Sequence, residues 1–270
     1  MIRIGKNKKM LGYDSFSVYS NISHFITTRE GGVGVGNYGT FNCSPHCGDN
    51  PTHQTVNQKI LLEELNITPK LVIHPYQTHQ DKVAIIDSNF FSFSQKESRE
   101  RLIGYDAVVT ALPQTLLCIA TADCVPILLL DPEKGVVAAV HAGWRGTVSK
   151  IVLKTLQVMQ EEFGSKPKNI LAGIGPSISL KAFEVGDEVV DQFGVVGFPL
   201  TRVVRKNEKT GKSHIDLWLA NELLLEEFGL SKDHIERSEL CTYTNNTTFF
   251  SARRLGIKSG RILSGIMLKE

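Results

Sequence analysis

The chain has 270 residues, 41% of them hydrophobic and 21% charged, with a net charge of +2. That balance excludes an intrinsically disordered chain, and a near-neutral charge without basic tracts argues against a nucleic-acid partner. The longest apolar run, Val125–Leu130, is interrupted by Pro126 and is far shorter than the roughly 20 residues of a spanning helix, so no membrane segment is expected.

The amino-terminal MIRIGKNKKM is charged with no apolar stretch behind it. No signal peptide can be drawn there, and a soluble, cytoplasmic protein is expected. Phe16–Thr28 reads as extended chain. Pro51 suits a helix start and Val56, Ile60, Leu61 and Leu65 recur at helical spacing, which predicts a helix over Thr52–Leu65. Short strands follow at Leu71–His74 and Val83–Ile86. A dense β region comes next: Ala107–Thr110, Leu116–Ala122, Pro126–Leu130 and Val136–His141. Ile151, Val152, Leu156 and Met159 form one apolar stripe, predicting an amphipathic helix over Thr147–Phe163. Ile170–Ile174 reads as a strand, Asp187–Phe193 as a short helix, and Asp216–Phe228 as a helix stopped by Gly229. Phe249–Ser251 and Ile262–Leu268 return to strand.

The segments LLCIATA, PILLLD and GVVAAVHA are apolar on both faces, the mark of strands covered on both sides. Few convincing helices accompany these strands, so simple βαβ alternation does not fit. An α/β fold with stacked or mixed sheets and helices outside is expected. No linker, repeat or low-complexity tract divides the chain, and residues 1–270 are read as one domain. Cys43, Cys47, Cys118, Cys124 and Cys241 form an odd, irregularly spaced set, which suits reduced thiols rather than a disulfide framework.

Three segments carry unusual polar residues at strand ends: His74-Pro-Tyr-Gln-Thr-His79-Gln, Thr121-Ala-Asp-Cys124-Val-Pro126 and His141-Ala-Gly-Trp-Arg145-Gly146. His79, Cys124 and His141 together make a His₂Cys set, and a catalytic zinc takes three such ligands and keeps one position open. Their spacing matches no short-range metal motif, so a buried structural thiol beside two hydrogen-bonded histidines fits the spacing too. A third arrangement takes Cys124 as nucleophile, His141 as base and Asp123 as orienter. Neighbours on an extended segment point opposite ways, which disposes Asp123 poorly for that role. The glycines flanking Trp144 and Arg145 stand where a strand turns into a helix, a place where backbone N–H groups accept an anion. Arg29 and Arg253 are further anion-binding candidates. Gly173–Ile178 reads as a tight turn.

Assembled, these segments resemble the laccase-domain family, also called multicopper polyphenol oxidase-like or purine nucleoside phosphorylase proteins. The resemblance is carried by Thr27-Thr-Arg-Glu-Gly-Gly32, Asn42-Cys-Ser-Pro-His-Cys-Gly-Asp49, Gln77-Thr-His79, Thr121-Ala-Asp-Cys-Val-Pro126 and His141-Ala-Gly-Trp-Arg-Gly146. It continues through Gly173-Ile-Gly-Pro-Ser-Ile178, Phe183-Glu-Val185, Asp216-Leu-Trp218, Cys241-Thr242, Phe249-Phe-Ser-Ala-Arg-Arg254 and Gly260-Arg261. These stretches run in family order from Thr27 to the carboxyl terminus. Gln-Thr-His-Gln stands where relatives often have Gln-Val-His-Gly, and the Asn42–Asp49 stretch also departs from the common pattern; the three ligand positions are intact.

The resemblance implies a single layered α/β/β/α domain and a zinc site on His79, Cys124 and His141, with copper as the alternative metal. It implies phosphorolysis of adenosine, inosine, guanosine and methylthioadenosine, accompanied by adenosine deamination. Some relatives are linked instead to peptidoglycan editing, in which a wrongly incorporated serine is removed from a nucleotide-linked precursor. Cys124, His141 and Arg145 are then the expected catalytic residues, and Arg29, Asn42 and Arg253 the expected substrate-binding ones. The expected partners are purine nucleosides and phosphate. A copper-dependent polyphenol oxidase is the remaining alternative, but the chain has eight histidines and no His-X-His pair. A single copper fits His₂Cys; a multinuclear oxygen-reducing centre does not.

Overall fold

The computed structural model describes residues Met1–Glu270, with the side chain of Gln95 outside the description. Two six-stranded sheets and one three-stranded sheet form the frame. The first sheet runs, in spatial order, Ile2–Ile4, Met10–Gly12, Ile22–Ile26, Ile262–Leu268, Thr115–Thr121 and Leu71–Ile73. The second runs Ile235–Arg237, Leu171–Ile174, Val125–Asp131, Val136–Ala142, Tyr105–Thr110 and Lys82–Ile85. Both are mixed: Leu71–Ile73 lies parallel to Thr115–Thr121, and Lys82–Ile85 parallel to Tyr105–Thr110, within otherwise largely antiparallel ladders. A small ribbon of Glu184–Val185, Ser213–Ile215 and Val204–Lys206 completes the set.

The doubly apolar strands explain the layering. On Val125–Asp131, Leu128 and Leu130 turn toward the first sheet, where they meet Leu117, Ile119, Ile262 and Ile266. Ile127 and Leu129 turn the other way and pack under Ile151, Leu156 and Met159 of the helix Ile151–Phe163 and Leu224 of the helix Leu217–Phe228. Alternation along a strand sends successive side chains to opposite faces, so a strand buried on both must be apolar throughout. The outer face of the first sheet is covered by the helix Pro51–Leu65 through Leu61, against Met10, Phe25, Leu116 and Leu263. The order of layers is α/β/β/α.

Local signals set most boundaries. The helix at Pro51 is capped by Asn50, whose side-chain oxygen accepts from Thr52 N at 2.9 Å. Asp216 caps Leu217–Phe228 in the same way, and Gly229 ends it at φ 108°. Three expectations are corrected. Phe16–Thr28 begins not as strand but with a short helix, Asp14–Ser17, that buries Phe16, and extends only over Ile22–Ile26. The helix expected over Thr147–Phe163 is two helices, Trp144–Val148 and Ile151–Phe163, separated where Lys150 takes a left-handed φ of 58°. Phe249–Ser251 forms no strand; Phe249 and Phe250 are core anchors at a chain turn, and two adjacent buried aromatics imitate a strand pattern. Among the described residues, no helix is long and apolar enough to cross a membrane.

Candidate active site and metal centre

Cys124 and His141 are brought together by strand register. Val125–Asp131 pairs antiparallel with Val136–Ala142, placing Pro126 opposite His141 and Val125 opposite Ala142. Cys124, just before Val125, therefore lies beside the far end of the partner strand. His79 arrives from the other sheet, on the loop that follows Leu71–Ile73. Gln77 pins that loop to the first sheet: its amide nitrogen donates to Ala120 O at 2.9 Å and its oxygen accepts from Ala120 N at 2.8 Å.

The ligand atoms of His79, Cys124 and His141 all lie within 4.8 Å of one another. That is near the span of two metal–ligand bonds of about 2.0–2.3 Å each. The two imidazoles meet edge to face with centroids 4.8 Å apart. Gly143 makes the close approach possible, since a Cβ there would stand 3.0 Å from Cys124 Sγ and 3.1 Å from His79 Cδ2.

One carboxylate organises the trio. Asp106, fully buried, accepts His141 Nδ1–H at 2.7 Å and the backbone N–H groups of Thr78, His79 and Gln80 at 3.1, 3.0 and 2.8 Å. Four donors on one carboxylate satisfy its buried charge and fix two of the three ligands at once. With Nδ1 committed to Asp106, His141 presents Nε2 to the site. This is the arrangement by which outer carboxylates orient metal-binding histidines. Sequence reasoning did not single out Asp106; the available signal was a carboxylate at the head of the otherwise apolar YDAVVT strand.

The electrostatics suit a metal. Burial by itself raises the Cys124 thiol, but the charge of His141 and hydrogen bonds from His141 and His79 overcome it and hold the thiol below its usual range. Burial likewise opposes charge on His141, yet Cys124 and Asp106 raise it. Cys124 is thus shifted toward the thiolate, the form that binds metal, whereas burial shifts Cys43 and Cys118 toward the thiol. Brief alkylation of metal-stripped protein near neutral pH is expected to label Cys124 while sparing Cys43 and Cys118, with added zinc protecting Cys124. Peptide mass mapping reads this, and equal labelling of Cys124 with and without zinc would contradict it.

Asp123 is turned away from the trio. At φ 87° its carboxylate accepts Thr242 Oγ1–H at 2.7 Å and Arg253 N–H at 2.6 Å. It clamps the carboxyl-terminal segment, and the carboxylate on His141 is Asp106.

A cavity of about 240 Å³ opens onto the trio, lined also by His46, His74, Tyr76, Gln77, Ile257 and Arg261. Among the described residues, Arg29, Arg145, Arg253 and Asn42 do not line it. Arg29 donates to Gly39 O and Asn246 O and lies over the Phe250 ring. Arg145 is exposed and stacks on Trp144, and Arg253 donates to Glu184 O. Asn42 is fully buried, bonded to Cys47, Asp49 and the Arg261 backbone N–H. The basic side chain the structure does bring to the cavity is Arg261.

Residues 23–269 match the family model described as multi-copper polyphenol oxidoreductase laccase. The chain belongs to this family. Within it, the chain is 50% identical to a protein of Bacteroides thetaiotaomicron named purine nucleoside phosphorylase, over the full length of both. It is 40% identical to adenosine deaminase RL5 from an unknown prokaryotic organism, over 92% of this chain and 94% of that one. Among solved structures, YlmD of Geobacillus stearothermophilus superposes with a TM-score of 0.85 at 30% identity, over 93% of each chain. The family name does not carry multicopper chemistry into this site: among the described residues, the trio is the group of three placed to share an ion.

Proposed function

We propose that the chain is a zinc-dependent purine nucleoside phosphorylase of the cytoplasm, acting on adenosine, inosine, guanosine and methylthioadenosine and also deaminating adenosine. The carrying observation is the convergence of His79, Cys124 and His141 at the wall of a cavity free of carboxylates among its described lining residues. The names of the relatives at 50% and 40% identity support the same reading.

His79 Nε2 or Nδ1, Cys124 Sγ and His141 Nε2 are the atoms that would hold the metal. When bound, zinc supplies a Lewis acid and lowers the pKa of water at an open position. The chain does the rest. Asp106 would keep the His141 Nδ1 protonated and leave Nε2 as the atom that gives up its proton to hold the metal. Tyr76 and Ile257, 48% and 80% exposed although they line the cavity, offer flat apolar surface to a purine ring. The fixed charge of Arg261 favours an anion beside the sugar as the glycosidic bond loosens.

Incubation with adenosine, with and without phosphate, tests the reading. Adenine and ribose-1-phosphate are expected only with phosphate, and inosine in both cases. Inert adenosine combined with turnover of a serine-bearing peptidoglycan precursor would overturn it in favour of an editing hydrolase.

A further inference from the structure

The cavity beside the trio has an unusual charge pattern. Arg261, His46 and His74 contribute to its lining, together with His79 and His141, and no aspartate or glutamate does so among the described residues. A second cavity of about 330 Å³ shares Pro45, His74 and Cys118 with the first. Lys70 and Arg99 are cations there beside Arg261 in the first, again with no carboxylate among the described lining residues. The sequence as a whole has 28 acidic side chains against 30 basic ones, so this one-signed lining is not a reflection of composition.

We propose that this cavity holds an oxyanion subsite for inorganic phosphate, walled by Arg261 and His46 and backed by His74 and Arg99. Arg261 is pre-positioned for the task. Its Nη1 donates to Ser259 O at 2.7 Å and Gly260 O at 3.0 Å, and its Nη2 donates to Ile257 O at 2.9 Å. These bonds fix the guanidinium without neutralising it. Among the described residues, the arginine held in ion pairs is Arg237, so Arg261 and Arg99 keep their charge. A fixed, uncompensated guanidinium in a recess focuses positive potential, and the donors left beside those three bonds, Nε–H and the second Nη2–H, remain for an oxyanion. His46 stands against Tyr76, ring centroids 5.2 Å apart, which aligns its imidazole at the same wall. Both His46 and His74 titrate below the ordinary imidazole range, through burial first and with the Arg99 charge adding to it. As neutral rings at neutral pH they offer hydrogen bonds, and the positive charge at this wall comes from Arg261 and Arg99.

The identity of the anion rests on the phosphorolysis reading above, whereas binding itself is measured without turnover. Inorganic phosphate, and separately adenosine monophosphate, is titrated calorimetrically into the wild-type protein, Arg261→Lys and His46→Ala. His46 is exposed, so His46→Ala reports even if the Arg261 loop is disturbed. Wild-type protein is expected to bind inorganic phosphate, each variant at least about tenfold more weakly. In phosphorolysis, the phosphate KM should rise in each variant by more than the adenosine KM does. Wild-type phosphate affinity in both variants overturns the subsite. Saturation by the monophosphate but not by inorganic phosphate overturns the assigned occupant. Intact phosphate binding that is lost in both variants, in a protein without phosphorolysis, upholds the subsite while the functional reading fails.

Discussion

His79→Ala is expected to remove the metal and lower turnover by at least about a hundredfold while the fold persists. Loss of an outer-shell partner typically costs about 10–100-fold in metal affinity or activity, and a direct ligand counts for more. Two donors, Cys124 and His141, are fewer than the three a catalytic zinc ordinarily takes from protein. The fold has little at stake at this position. His79 is exposed, its ring packs on His141 alone among the aromatic pairs, and its backbone N–H to Asp106 survives the substitution. Its φ of 61° is left-handed for alanine as for histidine, and His79→Gly, which adopts it without strain, separates backbone cost from ligand loss. Metal content, phosphorolysis and the circular-dichroism melt of one preparation check all three parts. A variant with wild-type activity would refute the site.

Asp106 carries the second large effect. In Asp106→Ala, three backbone N–H groups and His141 Nδ1–H lose their acceptor inside the protein. Breaking a buried charged network of this kind costs about 3–5 kcal/mol, so a strongly lowered denaturation midpoint is expected. Asp106→Asn separates support of the fold from support of the metal. It keeps the shape and one acceptor oxygen, but its NH₂ group must face at least one of the four donors. The loop is expected to loosen and the His141 tautomer to lose its constraint, weakening zinc by about 10–100-fold in a folded protein. Chelator competition measures this directly. A folded Asp106→Asn with wild-type zinc affinity would show that Asp106 serves the fold alone.

The apolar strands made the layers legible, because Leu128 and Leu130 face one sheet neighbour while Ile127 and Leu129 face the helices. The trio was visible as residue types at strand ends, but its assembly depends on the pairing of Pro126 with His141 and on a loop from the other sheet. No spacing rule encodes that. Asp106 was hidden for the same reason, since its four donors come from residues distant in sequence. The arginines are placed by contacts that the sequence does not display. Arg29 and Arg253 look like ligands for an anion, yet backbone carbonyls of distant loops take them, whereas Arg261 is held by its own turn at the cavity wall. The break at Lys150 and the false strand at Phe249 follow from tertiary burial overriding local pattern.

The metal content of protein purified without added metal bears most directly on the whole account. About one zinc ion per chain is expected, removed by chelation together with phosphorolysis and restored with it on adding zinc back. Full activity in metal-free protein, abolished by Cys124→Ser, would contradict the account and make Cys124, His141 and Asp106 a thiol–imidazole–carboxylate nucleophilic system instead.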